Sequence, residues 1–334
     1  MMNLEPLFQA LISEPAFRLK QAQHFIFHEL GSDWSQATTL PPALRQRLSI
    51  DFPLDIDHKL YRSKDGRSIK ALITLSDHAQ IETVLMSHGG RQSLCVSTQV
   101  GCALGCLFCA TGRLGFKRQL TPWEIVQQVL LWQRYLKDQG EKVTNVIFMG
   151  MGEPLLNYDH LLEAIRFMRS DDGFGLGSRR FSISTIGIID KILKLANDEP
   201  EINLAVSLHA TTDAVRAELI PFHENYTLAE LRRALVDYLK LTKRKIMVEY
   251  IMIDDVNDSL DDARRLAKWL RGIICVVNLI SYNDTGVYAP TPPAQIKAFK
   301  TELETLGLEV TQRYKLGDDI AAACGQLAGH DANS

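Results

Sequence analysis

Cys102-Ala103-Leu104-Gly105-Cys106-Leu107-Phe108-Cys109 sets three thiols at a CxxxCxxC spacing. Gly101 and Gly105 flank the first of them and let the chain wrap back on itself. Thiolates are soft ligands, suited to zinc or to iron–sulfur iron. A closed structural zinc site wants four ligands, usually two CxxC pairs or one pair plus histidines. No fourth ligand lies nearby in sequence, so the three cysteines hold a centre with one open position. An open position on a metal is normally a reactive one. A zinc knuckle completed by a distant ligand, or thiols that are merely buried, are the competing readings.

The spacing resembles the signature of the radical S-adenosylmethionine (radical SAM) superfamily. That resemblance implies that Cys102, Cys106 and Cys109 bind three irons of a [4Fe-4S] cluster. The fourth iron would then chelate SAM through its amino and carboxylate groups.

The rest of the chain is compatible with an enzyme of ordinary composition. Its 334 residues suffice for one large domain plus a small one. With 46% apolar and 23% charged residues, it is neither disordered nor fibrous. A net charge of −3 supplies no global field for nucleic acid. RNA contact would have to come from local patches such as Arg113, Lys117 and Arg118, or Arg179-Arg180, although such charges usually form a solvated face. No run of about 18 apolar residues is present, so no membrane span is expected. The N-terminus, with Glu5 and Glu14, lacks a secretory pattern. Six cysteines without a disulfide-like framework fit a reducing cytoplasm. A cytoplasmic monomer is expected.

Periodicity divides the chain into three. Residues 1–55 read as a helical module, with Phe17, Ala22, Phe25, Ile26 and Leu30 at helix-like intervals and Pro41-Pro42 opening a further helix. Residues 56–90 read as a β-hairpin connector, strands 69–75 and 80–86 around a turn at 76–79. Residues 91–330 alternate strand and helix. Thr121-Pro122-Trp123-Glu124 and Thr227-Leu228-Ala229-Glu230 are capping boxes that each start a helix. The βα order predicts an α/β fold: a parallel sheet curled into a full or partial (β/α) barrel.

In such folds chemistry gathers at the carboxyl ends of the strands. The unusual residues fall there: Gly150-Met151-Gly152-Glu153-Pro154, Ser184-Thr185-Ile186-Gly187, Ser207-Leu208-His209, Asp254-Asp255-Val256-Asn257-Asp258 and Ser281-Tyr282-Asn283-Asp284. Any one could be a turn, and a lone His209 is more often structural. Together they suit SAM. Glu153 would take the ammonium, Gly152 would allow close backbone approach, and Ser184, Ser207, Leu208, His209 and Asn283 would meet the carboxylate and ribose.

At a finer level Ser93–Cys102, Phe148–Pro154, Ser207-Leu208-His209-Ala210, Val277–Ile280 and Gly317–Leu327 closely resemble the RlmN/Cfr family, together with Leu40–Arg45 in the helical module. These are radical SAM adenosine methyltransferases acting on bacterial ribosomal RNA. The likeness implies a partial barrel of radical SAM type, with residues 1–55 as an RNA-docking module. It also implies a carbon-2 methyltransferase for an adenosine of 23S rRNA, with tRNA as a further substrate, using two SAM molecules per methylation and an external electron donor. The problem such an enzyme solves is chemical: an aromatic C–H carbon is no nucleophile toward SAM. Cys324 would first take a methyl group from one SAM, since a thiolate is a good nucleophile. A 5′-deoxyadenosyl radical from a second SAM would remove a hydrogen from that methyl, and the carbon radical would add to the adenine. Release would need a base, for which the resemblance offers Glu82, and attack by Cys95 on the Cys324 sulfur, leaving a Cys95–Cys324 disulfide that an external reductant resets. Cys275 matches neither role and reads as a small buried hydrophobe.

The chain departs from the family at Ala321, where an acidic residue is usual, and at Leu316, where carbon-2 enzymes commonly carry Arg. Residues 183–189 and 241–245 look more like the carbon-8 (Cfr) branch. Carbon-8 methylation, another RNA substrate, a small-molecule radical SAM enzyme and a non-catalytic iron–sulfur RNA-binding protein are the alternatives.

Overall fold

Alternating apolar strands and capped amphipathic helices build one sheet, and the order in which they join it decides where the site lies. The computed structural model describes residues 2, 4–221, 226–313 and 317–329. Helices α1 (Leu4–Leu11), α2 (Ala16–Phe27) and α3 (Pro42–Asp51) form the N-terminal part. Leu4, Leu7, Phe8 and Leu11 recur at one-turn intervals on α1 and are buried. Phe8 meets Trp123 edge-on at 4.8 Å and Phe27 meets Phe167 at 4.7 Å, which ties these helices to the barrel's outer layer.

Three antiparallel strands follow: β1 (His58–Arg62), β2 (Ser68–Thr74) and β3 (Gln80–His88). The expected hairpin is therefore a three-stranded ribbon. β1 is its exposed, charged outer edge, so no alternation marked it in the sequence. β4 (Arg91–Cys95) pairs antiparallel with β3 on one side and parallel with β7 (Asn145–Phe148) on the other. From there β8 (Phe181–Thr185), β9 (Asn203–Ser207), β10 (Ile246–Met252), β11 (Cys275–Ser281) and β12 (Val310–Gln312) add in parallel. The sheet of ten strands runs β1-β2-β3-β4-β7-β8-β9-β10-β11-β12, with β1 and β12 unjoined. It is a partial barrel, as expected.

The helices between these strands are α5 (Pro122–Lys137), α6 (Tyr158–Arg169), α7 (Ile189–Asp198), α8 (Asp213–Leu219), α9 (Leu228–Thr242), α10 (Leu260–Trp269) and α11 (Pro293–Thr305). Both predicted capping boxes close reciprocally, Thr121 with Glu124 and Thr227 with Glu230. The cysteine loop carries a short helix α4 (Ala110–Arg113) and lies inside a small hairpin, β5 (Gln99–Gly101) with β6 (Phe116–Gln119), which the sequence did not announce. Gly101 is required here: its φ is +75°, and a Cβ would stand 1.9 Å from the Gly115 carbonyl oxygen. Among the described residues no helix is long and apolar enough to cross a membrane.

Candidate active site

Two cavities open at the carboxyl ends of the parallel strands and share a wall. The first, about 900 Å³ with its mouth, is lined by Cys102, Cys106 and Cys109 on one side and by Gly152, Glu153, Ser184, Ser207 and His209 on the other. The second, about 1240 Å³ with its mouth, is lined by Cys95, Met86, His88, Ser281 and Asn283. Met149, Ile280, Arg313, Cys324 and Leu327 line both.

The three loop cysteines are thus gathered on one concave surface. Burial pushes the Cys102 thiol up to about 12 and raises Cys106 well above its ordinary value, and each feels the charge of its neighbours. Only a strong cation would hold such a set as thiolates. Among the described residues, no group of three or more His, Cys, Asp or Glu closes round a single ion. Three thiols on one cavity wall fit a cluster, in which each sulfur would meet a different iron.

Opposite the cysteines, Glu153 ends the turn after β7. Its Oε1 accepts from Leu155 N and its Oε2 from Ile186 N, both at 3.0 Å, so it also fixes the end of β8. Its own N–H donates to Gln99 Oε1 at 2.8 Å, linking it to the cysteine hairpin. Gly152 beside it has φ +98°, and a Cβ would run into the Gln99 side chain at 2.5 Å. Glu153 is buried with no cationic partner among the described residues, and burial pushes its carboxyl up to about 7. Such a carboxylate fits a ligand ammonium. Ser184 Oγ and Ser207 Oγ stand 3.4 Å apart at neighbouring strand ends.

His209 sits at φ +61°, an unusual conformation for a side chain of its size. Asn257 stabilises it by donating to its carbonyl at 2.7 Å, while His209 Nδ1 accepts from Ile251 N at 3.2 Å. Burial, aided by the Arg216 charge, lowers its pKa to about 3. The ring is therefore neutral, with Nε2 as its donor, and packs edge-on against Phe108 of the cysteine loop at 4.9 Å.

The other predicted residues are placed differently. Leu208 is packed in the core and lines neither cavity, because its neighbours in the strand-end turn take the cavity-facing positions. Asn283 lines the second cavity rather than the first, and its Nδ2 donates to the Cys324 carbonyl at 3.0 Å. Glu82, on β3, lines neither. Its Oε1 lies 2.7 Å from the Lys70 ammonium, a charge contact short of hydrogen-bond alignment, and its Oε2 accepts from Ala328 N at 2.7 Å and Gly329 N at 3.1 Å. Removing one partner of so buried an ion pair costs about 3–5 kcal/mol. Arg118 is already bound to Asp77 and Glu124, each at 2.8 Å, and so is not a free cation for phosphate.

Cys324 stands on the shared wall, in the loop after β12. The surface it exposes is cavity rather than outer face. Burial raises its thiol and the Arg313 guanidinium opposes that rise. The same guanidinium also acts on Cys95, which burial above all, and then the charge of Cys324, pushes up to about 12. Arg313 and Glu249 are site residues that motif reading missed. Glu249 Oε2 accepts from Asn278 Nδ2 at 2.7 Å, while Oε1 is buried with no hydrogen-bond partner among the described residues. A charged residue inside the apolar run Ile246–Met252 was the visible signal. Ala321 has φ +49°, a conformation that costs a non-glycine residue about 1–2 kcal/mol and suits Asp or Asn better. Leu316 lies outside the described residues.

The radical SAM superfamily description matches residues 96–270. A probable dual-specificity RNA methyltransferase RlmN from Dictyoglomus turgidum is 41% identical over 317 residues, 94% of this chain and 91% of its own. Its counterpart in Chloroherpeton thalassium is 42% identical over 340 residues, covering 98% and 92%. The solved structure of a radical SAM methyltransferase from Sphaerobacter thermophilus superposes with a TM-score of 0.93 at 39% identity, over 98% of both chains. On the cluster cysteines, the facing SAM-type pocket and relatives alike over nearly its whole length, this chain belongs to the RlmN family of radical SAM methyltransferases.

Proposed function

We propose that the protein methylates carbon 2 of an adenosine in 23S rRNA, and also acts on tRNA, through a methyl group carried on Cys324. One arrangement supports this reading above others: Cys324 stands on the wall between a cavity built for a cluster and SAM and a second cavity that holds Cys95. A thiol so placed can be loaded from one side and deliver to the other.

Membership of the family brings a [4Fe-4S] cluster, held by Cys102, Cys106 and Cys109, and SAM as cosubstrate. The cluster supplies, with an electron from an external donor, the reductive cleavage of SAM to a 5′-deoxyadenosyl radical. The chain's own residues do the rest. Glu153 holds the SAM ammonium, and Ser184, Ser207 and neutral His209 face its polar edge. Arg313 lowers the cost of ionising Cys324, which takes the methyl group of a first SAM. Glu249, in the same cavity wall, has an oxygen free to take the departing proton. The second cavity receives the adenine, delivered from an unpaired or flipped position. Cys95 on its wall resolves the adduct: the ring loses its proton to a base, Cys95 bonds to the Cys324 sulfur as that sulfur's bond to carbon breaks and leaves the methyl group on the ring, and an external thiol reductant resets the Cys95–Cys324 disulfide. Residues 1–55 serve as the RNA-docking module, where the Arg18 guanidinium lies 4.6 Å from the centre of the exposed Phe17 ring.

The deciding experiment is nucleoside mass spectrometry of 23S rRNA and tRNA, digested separately from a host lacking its own family member and expressing this protein. 2-Methyladenosine is expected in both. 8-Methyladenosine would move the chain to carbon-8 chemistry, and neither product would refute the proposed substrate.

SAM binding should depend on pH in a defined direction. In the empty site Glu153 is neutral below about 7, and an ammonium prefers the carboxylate. Affinity for SAM should therefore fall by up to about tenfold per pH unit below that value. Equilibrium binding to the cluster-loaded protein from about pH 8 to pH 6 measures this, and Glu153→Gln should bind more weakly with a flat profile.

A further inference from the structure

The cysteine loop hangs from the β5–β6 hairpin, and the turn after β7 that carries Gly152 and Glu153 faces it across the first cavity. Two glutamines join them. Gln99 on β5 and Gln119 on β6 are cross-strand partners at the open end of the hairpin. The Oε1 of the buried Gln99 accepts from Glu153 N at 2.8 Å, and its Nε2 donates to Gln119 Oε1 at 2.9 Å. Gln119 Nε2 in turn donates to the Leu156 carbonyl at 2.9 Å, and Leu156 N donates back to the Glu153 carbonyl at 3.1 Å. The four residues close a ring. Its polarity is fixed, because the Glu153 N–H can only donate and the Leu156 carbonyl can only accept, so each amide has one orientation. Beside the ring, the Met151 carbonyl accepts from Thr98 N and Gln99 N at 2.8 and 3.2 Å. Gly152 leaves room for the Gln99 stem, whose Cβ and Cγ a side chain there would strike.

We infer that Gln99, supported by Gln119, is a positioning residue that holds the Gly152–Glu153 turn against the cysteine hairpin, and so sets where SAM's ammonium stands relative to the cluster. The ammonium part rests on the role proposed above for Glu153. Gln99 grips the backbone of Glu153, while Leu155 N and Ile186 N orient its carboxylate from the strand side. An amide suits the task. Leu at position 99 would leave the buried Glu153 N–H unpaired, and Glu would lose the donor to Gln119 while setting a second negative charge beside Glu153. Two glutamines that merely closed the hairpin would act on cluster loading, and independently of Glu153.

A double-mutant cycle separates these roles. Gln99→Leu, Glu153→Gln and the double variant are loaded with the cluster, and SAM affinity is measured at about pH 8, above the range in which Glu153 takes up its proton. Gln99→Leu should bind SAM at least about tenfold more weakly, with unchanged iron content and with exchange of the Glu153 amide raised at least about tenfold. The double variant should bind within about twofold of Glu153→Gln alone, since Gln99 acts through that residue. The change that SAM causes in the electron paramagnetic resonance spectrum of the reduced cluster should be altered in Gln99→Leu even at saturating SAM. Gln119→Glu, whose carboxylate still accepts from Gln99 Nε2, should stay closer to wild type in every readout. Losses that multiply in the double variant, or affinity and spectrum unchanged in Gln99→Leu, would overturn the inference. Should Gln99→Leu fail to load the cluster, the same cycle is run with Gln119→Leu, which leaves the Gln99 oxygen in place without its support; independent losses there overturn it equally. If Glu153→Gln binds SAM as wild type does, the ammonium role of Glu153 fails. Gln99 is then judged by amide exchange and by the spectrum: both altered support its hold on the turn, and both unchanged end it.

Discussion

Cys324→Ala should remove methylated adenosine from the RNA altogether, a loss of at least about a thousandfold, while SAM is still split to 5′-deoxyadenosine. The expectation rests on the separation between the two halves of the site. The groups for SAM and the cluster lie on the strand ends and on the cysteine loop, and none of their hydrogen bonds passes through the Cys324 side chain. The segment itself is held through backbone groups, which alanine retains. Losing the thiol therefore removes the methyl carrier and little else. No other group can replace it, since an aromatic C–H carbon offers SAM no lone pair to attack. Quantifying both products in one reaction gives the answer. Persistent methylation would mean that Cys324 is not the carrier. Loss of 5′-deoxyadenosine as well would mean that the two cavities are not independent. An RNA-binding protein that had merely kept the fold would show neither product with any variant.

Much of this site was readable because function here follows strand ends. The cysteine spacing stands out in a loop, and the Gly150–Pro154 and Ser207–His209 turns each follow an apolar strand with glycine or polar residues among the apolar ones. The capping boxes marked two helices at their first turn. What stayed hidden has physical causes. β1 is an exposed edge, so its residues alternate in nothing that hydropathy can register. The β5–β6 hairpin is made by strands of three and four residues, too short for a periodic signal, and its 14-residue connection is the cysteine loop itself. Glu82 was pointed out by the resemblance alone and Asn283 by its place at a strand end, and motif position says only that a residue matters. Their partners, the 328–329 amides and the Cys324 carbonyl, lie 246, 247 and 41 residues away in sequence. Lys70 and Glu249 gave the same kind of signal, a charge inside an apolar strand, and burial of both is what turns that oddity into a site.

Cys95→Ala should trap the enzyme on its RNA. In the proposed sequence the adenine is bonded to Cys324 through one carbon, and only a second sulfur can break that link. Cys95 is the candidate because it lines the second cavity, in which the adenine would sit, and because its charge and that of Cys324 are felt by the same half-buried Arg313. In the proposed function Cys102, Cys106 and Cys109 hold the cluster, and Cys275 lies in β11 and lines neither cavity. The variant should therefore form a single covalent protein–RNA adduct per chain, resistant to denaturant, with turnover below detection. A denaturing gel with labelled RNA reads this directly, and digestion should leave the modified nucleotide on the peptide that contains Cys324. The wild-type release step has a testable sign of its own. Burial holds the Cys95 thiol near 12, so its reactive thiolate fraction rises about tenfold for each pH unit below that value. Release should accelerate toward alkaline pH while SAM binding, governed by Glu153, has already reached its plateau. Release that is flat over that range would mean that Cys95 is ionised before the adduct forms. An adduct-free Cys95→Ala enzyme that still turns over would show that Cys95 does not resolve it.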